Sequence, residues 1–330
     1  GNGDHWAAAH WMLTGRTGAT GGDRKPRYPS MGAVASHLLG PKVPGALAAV
    51  NMNDGGFGFH GAAWLGVNHN PLQYGSFSYG NEAGSLPTSD AKSFALADGL
   101  SESRLIDRVS LRGQLDDLKR RIDRERGFDQ LDSVEQQAMD LVLSGKVRRA
   151  FDVSEEPQAL RDRYGPGWGE QALLARRLVE AGVRCVTIDH SNWDTHDANF
   201  RVLRDELLPK LDAAMSTLFR DLQDRGIYEK TLVLVTGEFG RTPKINKNAG
   251  RDHWSKCFTV MLGGGGIQGG RVIGQSDKWA QEPAENPYGP EDFAATLYSL
   301  IGINPKDEMI TPDGRPIGLT QGGRVIKELI

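Results

Sequence analysis

Carboxylate and imidazole side chains are concentrated in three short segments in the second half of the chain. DHSNWDTHD follows one apolar run, TGEFGRTPKIN follows another, and GRDHW precedes a third. Carboxylate oxygens and neutral imidazole nitrogens are the ligands of Zn²⁺, Mn²⁺ or a mixed divalent site. Any one of these residues alone could equally cap a helix or face solvent, but the whole set predicts a divalent metal site. The candidate ligands are Asp189, His190, Asp194, His196, Glu238 and His253.

Two cations follow Glu238 in the same segment, Arg241 and Lys244. A guanidinium beside a metal can hold a tetrahedral oxyanion, with the metal neutralising charge on one side and two N–H donors clamping the other. The sequence therefore predicts that Arg241 contacts an anionic substrate or supports the metal ligands. For Lys244, a role as an ordinary surface cation is the alternative that we favour.

The elements that would position these residues alternate between strand and helix from about residue 165 onward. Apolar runs at 183–188, 231–235 and 257–262 are typical of short buried strands, and the stretches 169–182 and about 199–225 have helical periodicity. Gly182 predicts a helix end, and Pro209 predicts a kink or a restart. A further helix is predicted from Pro290 to Gly302. This order predicts an α/β fold with a mostly parallel central sheet sandwiched by helices, and a ligand site at the carboxyl ends of its strands.

The remaining regions have different patterns. Residues of about 92–165 are charge-dense and helical, which predicts a helical insertion packed on the edge of the sheet rather than a separate domain. The stretch 40–90 is rich in Gly, Asn and Pro and predicts irregular loops. The chain as a whole, 1–330, is interpreted as a single α/β domain.

Composition excludes several classes of protein. The chain has 330 residues, 39 Lys and Arg against 42 Asp and Glu, and a formal charge of −3. This near-neutral balance argues against a general nucleic-acid binder, and no apolar run approaches the roughly 20 residues that cross a bilayer. The two cysteines, Cys185 and Cys257, begin apolar runs and are expected to be buried free thiols.

Several motifs resemble those of sulfatases and alkaline phosphatases. YEKTLVLVTGEFGRT resembles the stretch in which a strand is followed by metal ligands, PEDFAATLYSLIGI resembles a late sulfatase helix, and MLTGRTGATGG resembles the segment after a sulfatase nucleophile. Together with NWDTH, EFGRTPKIN and GRDHW, they make the chain similar to the exported, sulfatase-like family called domain of unknown function 1501. The resemblance covers nearly the whole chain and implies an alkaline phosphatase-like fold and an exported protein.

The resemblance also assigns roles to individual positions. It implies that Asp194 and His196 are metal ligands, that Glu238 stands at the position of the aspartate after the strand, and that His253 is the late metal-binding histidine. Phe239 stands at the position of a further ligand, which suggests one metal ion rather than two. The implied cofactor is a divalent metal, Zn, Mn or Ca.

The amino-terminal match departs from the family pattern. Counting back from MLTG places His5 at the position of the sulfatase nucleophile, and His10 follows one helical turn later. His5 is therefore a candidate metal ligand or nucleophile, with packing or capping of a helix as the alternative. Family members open with a strand and an Asp-bearing, glycine-rich loop, so the resemblance implies that the first strand and its metal ligand are missing here.

The leading functional hypothesis is a metal-dependent hydrolase of phosphate or sulfate esters, acting on a small-molecule or polysaccharide substrate that carries an anionic ester. A second hypothesis is a non-catalytic sulfatase-like scaffold that binds a sulfated ligand, which the missing nucleophile and Phe239 favour. A phosphomutase-like isomerase is a weaker third reading. Substrate identity and oligomeric state leave no trace in the sequence.

Overall fold

The computed structural model describes residues 3–20, 26–43, 46–53, 61–75, 145–190 and 192–330. It is a mixed α/β structure. The helices are α1 (His5–Thr14), α2 (Met31–Leu39), α3 (Gly145–Ala150), α4 (Gln158–Tyr164), α5 (Trp168–Ala181), α6 (Asn199–Val202), α7 (Leu208–Asp224) and α8 (Pro290–Leu300). The strands are β1 (Ala49–Met52), β2 (Leu72–Tyr74), β3 (Cys185–Ile188), β4 (Val233–Val235), β5 (Gly240–Arg241), β6 (His253–Trp254), β7 (Met261–Gly263), β8 (Gln275–Ser276), β9 (Pro283–Glu285), β10 (Glu308–Ile310) and β11 (Pro316–Gly318).

A parallel three-stranded sheet lies in one hydrophobic core, in the order β2–β1–β3. Val50 of β1 is paired with Leu72 of β2 and with Val186 of β3. The predicted strand within 183–188 is confirmed and lies in a parallel sheet. Its neighbours there are β1 and β2 rather than the strands predicted at 231–235 and 257–262, which pair with each other instead. Both Cys185 and Cys257 are free, as expected, and both are partly rather than fully buried.

Helix α5 covers this sheet and confirms the helix predicted at 169–182. Its apolar residues Leu174, Leu178 and Ala181 are buried, as their spacing predicts. The helix ends at Gly182, whose φ of 106° is open to glycine and costly for other residues. The chain then enters β3 almost directly, and Asp189 is the first residue after that strand.

The helix predicted at about 199–225 is present and restarts where Pro209 predicts. Helix α6 passes into a π-helical turn at Leu203–Leu207, and α7 begins at Leu208 with Pro209 in its first turn. Proline has no N–H to donate, so the first turn of a helix accommodates it without a lost hydrogen bond. The buried face of α7 packs against α5 through Ala214, Leu218 and Leu222.

The strand observed in the predicted 257–262 region is shorter than predicted, and it runs antiparallel rather than parallel to its neighbour. It is β7, which pairs antiparallel with β4. A parallel neighbour would need a crossover connection, usually a helix. The 236–260 connection contains the β5–β6 hairpin and no helix, so the chain returns antiparallel to the strand that it left.

The stretch 40–90 is not only irregular loop. It contributes β1 and β2 to the parallel sheet, although residues 54–60 and 76–90 lie outside the described residues. These strands have four and three residues and lie among Gly and Asn residues, so their apolar pattern is too short to stand out.

Part of the predicted 92–165 insertion is helical, as expected. Helices α3 and α4 lie within it, whereas 92–144 lie outside the described residues. Phe151, just after α3, packs on Tyr74 of the edge strand β2, with ring centroids 4.9 Å apart.

Helix α8 confirms the helix predicted from Pro290, and its buried face includes Phe293, Ala294 and Tyr298.

Within the described residues, no helix combines the length and apolar character that a membrane crossing requires.

Candidate metal centre

Four segments far apart in the sequence supply the side chains of the candidate metal centre. His5 is the first residue of α1, whose N-terminus is capped by the Asp4 carboxylate accepting from the Ala7 N–H at 3.0 Å. Asp194 and His196 follow β3, Glu238 follows β4, and Arg241 and His253 face each other across the antiparallel β5–β6 hairpin. The ends of these strands and the start of α1 therefore meet at one place, named here the metal centre.

Asp194 is the hub of the metal centre. Its Oδ1 lies 2.9 Å from Nε2 of His253, 3.0 Å from Nε2 of His196 and 2.5 Å from Nη2 of Arg241. Its Oδ2 lies 3.2 Å from Nε2 of His5. Burial disfavours the charged form of Asp194, but hydrogen bonds from Arg241 and His253 outweigh burial and lower its pKa to about 2. The hub is therefore a carboxylate at neutral pH.

In each of the three imidazole rings, Nδ1 contacts an oxygen on the side of the ring away from Asp194. Carbonyl and ionised carboxylate oxygens only accept hydrogen bonds, so Nδ1 carries a proton in each of these pairs. Nε2 faces Asp194, and a second ring proton or a cation can lie between the two. This is the usual arrangement of metal-ligating histidines, whose second nitrogen donates to a carboxylate or carbonyl. The pairs are His5 with Glu238 Oε1 at 2.5 Å, His196 with Asp252 Oδ1 at 2.7 Å and His253 with the Gly3 carbonyl at 2.7 Å.

The donor atoms at the hub fit a divalent ion. The two Nε2 atoms of His196 and His253 are 3.0 Å apart, and each lies 2.9–3.0 Å from Oδ1 of Asp194. Three lone pairs this close repel one another unless a proton or a cation lies among them. In a tetrahedral site with bonds of about 2.0–2.1 Å, neighbouring donors are about 3.3 Å apart, close to these separations. Donor atoms of His5, Asp194 and His253 also lie within 4.8 Å of one another, and His196 contacts two members of that group, Asp194 and His253.

The pKa of His5 is raised, first because of its hydrogen bond to Glu238 and despite the opposing effect of burial. The raised pKa favours a second ring proton on Nε2, which would complete a bridge between Glu238 and Asp194. A cation at Nε2 would replace that proton, because metal ligation requires a free lone pair.

Phe239 forms an apolar floor beneath the imidazoles. It is 8% exposed, and its ring centroid lies 4.9 Å from that of His5 and 4.5 Å from that of His253. The Arg241 guanidinium lies 5.9 Å from the same ring. Phe239 therefore restricts the orientation of the rings through packing, at the position where the family resemblance places a further ligand.

The structure brings together most of the predicted site residues. Asp194, His196 and His253 meet at the hub, together with Arg241 and His5. Glu238 is part of the same cluster, but it contacts Nδ1 of His5 and so lies behind that ring rather than at the hub. The Lys244 side chain is exposed, which fits the surface role that we favoured for it.

Asp189 and His190 belong to a different environment. The Asp189 N–H donates to the Met52 carbonyl at the end of the sheet. His190 stacks on Trp168 with centroids 4.2 Å apart, and burial lowers its pKa to about 4. His190 therefore packs in the hydrophobic layer beside α5. Its position at a strand end explains the prediction, but its side chain turns to the core.

His10 is also structural. It is fully buried in α1, and its Nε2 accepts the backbone N–H groups of Arg27 and Tyr28, both at 3.3 Å. His10 therefore fixes the 27–28 backbone against α1.

Sequence reasoning missed Asp252, Asn246 and the carbonyl of Gly3. Asp252 precedes His253 in GRDHW, so its residue type was a usable signal. Its partner could not be deduced, because it contacts His196 rather than its own neighbour. A backbone carbonyl such as that of Gly3 has no sequence signal.

Comparison with known proteins gives one match. The family described as "Protein of unknown function (DUF1501)" matches residues 1–330. No curated protein and no solved structure matches the chain.

Proposed function

Because the chain belongs to the DUF1501 family of unknown function, we propose from its own chemistry that it is a metal-dependent hydrolase of phosphate or sulfate esters. The observation that carries the proposal is the convergence of three imidazole Nε2 atoms on the two oxygens of Asp194. The alkaline phosphatase-like fold and the exported location belong to the same proposal and rest on the motif resemblance.

The donor set favours zinc or manganese over calcium. Imidazole nitrogen suits Zn²⁺ and similar transition metals, whereas Ca²⁺ takes six to eight oxygen ligands. We assign His5, Asp194, His196 and His253 as the ligands, with Glu238 and Asp252 as carboxylates that orient His5 and His196. A bound divalent ion would supply Lewis-acid stabilisation of an anionic ester and would lower the pKa of a coordinated water.

Arg241 is the group that we assign to the substrate. Its guanidinium has five N–H donors, which contact Asp194 and donate to the Arg251 carbonyl at 3.3 Å. The remaining donors suit two oxygens of a phosphoryl or sulfuryl group. Charge developing on those oxygens in the transition state would be stabilised by the same fixed cation.

His5 fits a ligand better than a nucleophile. Nδ1 is held by Glu238 and Nε2 faces Asp194, so neither nitrogen points freely toward a substrate. We therefore assign the attack to a water molecule in the proposed reaction. Its oxygen would bond to phosphorus or sulfur as the ester bond to the alcohol leaving group breaks, and its proton would pass to solvent or to the departing oxygen.

The test is a reconstitution assay. Full-length protein is stripped with a chelator, reloaded with Zn²⁺ or Mn²⁺, and assayed against aryl phosphates and aryl sulfates. We expect turnover that depends on the metal and falls at least about a hundredfold in Arg241→Ala, as for loss of a group that stabilises transition-state charge. Arg204→Ala is the matched control, because Arg204 is exposed and pairs with its neighbour Asp205. Metal-loaded protein without turnover would contradict the hydrolase.

A second candidate function, an anion-binding scaffold without catalysis, is favoured by the apolar Phe239 at a ligand position. Binding of a sulfated polysaccharide that survives a His196→Ala, Glu238→Ala double substitution would support the scaffold, because catalysis at this centre would not survive it.

A further inference from the structure

We infer that Asp252, held by Asn246, is a positioning residue that fixes the tautomer and the orientation of His196 in the metal centre. The inference rests on the proposed metal centre and adds the residues that build its outer layer. The carboxylate of Asp252 contacts His196 and lies on the side of the ring away from the hub.

The contacts form a closed arrangement around His196. Asp252 Oδ1 lies 2.7 Å from Nδ1 of His196. The side-chain amide of Asn246 donates to the same Oδ1 at 3.1 Å and to the backbone carbonyl of His196 at 2.9 Å. One amide group therefore ties the orienting carboxylate to the main chain of the residue that it orients.

The backbone of Asp252 is fixed independently of its side chain. Its N–H donates to the Thr242 hydroxyl at 3.0 Å, and its carbonyl accepts from the Thr242 N–H at 2.8 Å. The main chain that carries the Asp252 carboxylate is therefore fixed, and the Asn246 amide holds the carboxylate itself.

The 246–251 loop that carries these residues is fastened to the 195–199 segment along its length. Asn246 Oδ1 accepts the N–H groups of Asn248 and Gly250, both at 2.9 Å, so the loop is closed on itself. A Cβ on Gly250 would lie 1.8 Å from the His196 carbonyl, so glycine allows this close approach. Three backbone bonds join the two segments: Ala198 N–H to Asn248 O at 3.0 Å, Asn199 N–H to Ala249 O at 3.0 Å and Arg251 N–H to Thr195 O at 3.1 Å.

This geometry has a specific chemical effect. An acceptor on Nδ1 keeps the ring proton there and leaves the Nε2 lone pair directed at the hub, where His253 and Asp194 lie. A negative acceptor also makes the imidazole a more basic ligand. Loss of such outer partners lowers metal affinity by about 10- to 100-fold in other metal sites.

A contrast within the chain supports the assignment. His37 and His69 also contact each other, with His37 Nδ1 lying 3.1 Å from His69 Nε2. That pair joins a donor to an acceptor if one ring carries the proton, so it needs no ion. At the metal centre both Nδ1 atoms of His196 and His253 already have oxygen partners that only accept hydrogen bonds, so their two Nε2 atoms can be joined only by a further proton or a cation.

The test compares Zn²⁺ affinity, measured by competition with a chromophoric chelator, in wild type, Asp252→Ala and Asp252→Asn. We expect an affinity loss of about 10- to 100-fold in Asp252→Ala and a smaller loss in Asp252→Asn, whose amide oxygen can still accept from Nδ1. His37→Ala is the control, because it removes a histidine that lies outside the metal centre and contacts another histidine. Its affinity should equal that of wild type.

A second readout separates positioning from folding. Nitrogen NMR of the metal-free protein reports the His196 tautomer, and we expect the proton on Nδ1 in wild type and a mixture of tautomers in Asp252→Ala. Unchanged affinity and an unchanged tautomer in a folded Asp252→Ala protein would overturn the inference. If Asp252→Ala does not fold, the same two results decide in Asp252→Leu, which keeps a side chain of similar size but has no acceptor for Nδ1. Failure of wild type to bind zinc would instead contradict the metal centre, and the tautomer would still test Asp252.

Discussion

Asp194 gives the centre its geometry because its two oxygens serve different partners. Oδ1 meets His196, His253 and Arg241, and Oδ2 meets His5. A single carboxylate thus joins three imidazoles and one guanidinium. Removal of its charge leaves these cationic or cation-binding groups without a counterion, which makes Asp194 the most informative residue to change.

We predict that Asp194→Asn loses zinc binding by at least about a hundredfold, because a ligand charge and a ligand atom are removed together. Zinc titration measures the loss. Asp205→Asn is the matched control, since Asp205 is exposed and pairs with Arg204. Equal zinc affinity in Asp194→Asn and wild type would contradict the assignment of the hub.

The sequence predicts His190 as a metal ligand, but its position in the structure predicts an effect on stability instead. Its pKa is lowered from 6.5 to about 4 by burial, so the unfolded chain takes up a proton at a higher pH than the folded chain. The stability from the neutral ring is present above pH 6.5 and is lost as the pH falls toward 4.

His190→Phe should keep the packing on Trp168 and remove this titration. Between pH 7 and pH 5, the free energy of unfolding should fall by about 2 kcal/mol more in wild type than in His190→Phe. Urea unfolding at the two pH values measures the difference. Identical pH dependence would mean that His190 is solvated and titrates normally.

At the scale of elements, periodicity predicted what depends on local pattern. Helices α5, α7 and α8 and strands β3 and β4 follow from apolar spacing with Gly and Pro at their ends. Strands β1 and β2 did not, because three or four residues among glycines carry no readable period. The direction of β7 depends on the β5–β6 hairpin, which takes the place of a crossover helix.

The ends of helices allow a test of how tightly the elements pack. Gly182 after α5 has a φ of 106°, and a Cβ there would lie 2.3 Å from Val43 Cγ2. Gly226 after α7 has a φ of 66° with nothing within 4 Å of its Cβ position. Both positions have a positive φ, but 106° at Gly182 lies beyond the left-handed region of about 50–70° that L-residues adopt, and only Gly182 adds a steric clash.

Gly226→Ala should lower the free energy of unfolding by about 1–2 kcal/mol, the cost of a left-handed conformation with a side chain. Gly182→Ala should cost about 1 kcal/mol or more beyond that, because the methyl group must displace Val43. Urea denaturation of both variants checks the order. Equal losses would show that the Val43 contact yields without cost.

At the scale of the whole molecule, the metal centre depends on contacts that no local pattern encodes. His5 meets Glu238 across 233 positions and Asp194 across 189. The residue types of the proposed ligands could be predicted, because Asp and His cluster after strands. Their sorting into hub, outer partner and core could not, because it depends on side-chain directions set by β5, β6 and the 246–251 loop.

X-ray absorption spectroscopy of the zinc-loaded protein tests the central claim most directly. We predict a first shell of nitrogen and oxygen at about 2.0–2.1 Å, outer-shell scattering from three imidazoles, and two imidazoles in His253→Ala. A zinc shell built from oxygen alone, or one that His253→Ala leaves unchanged, would contradict the metal centre.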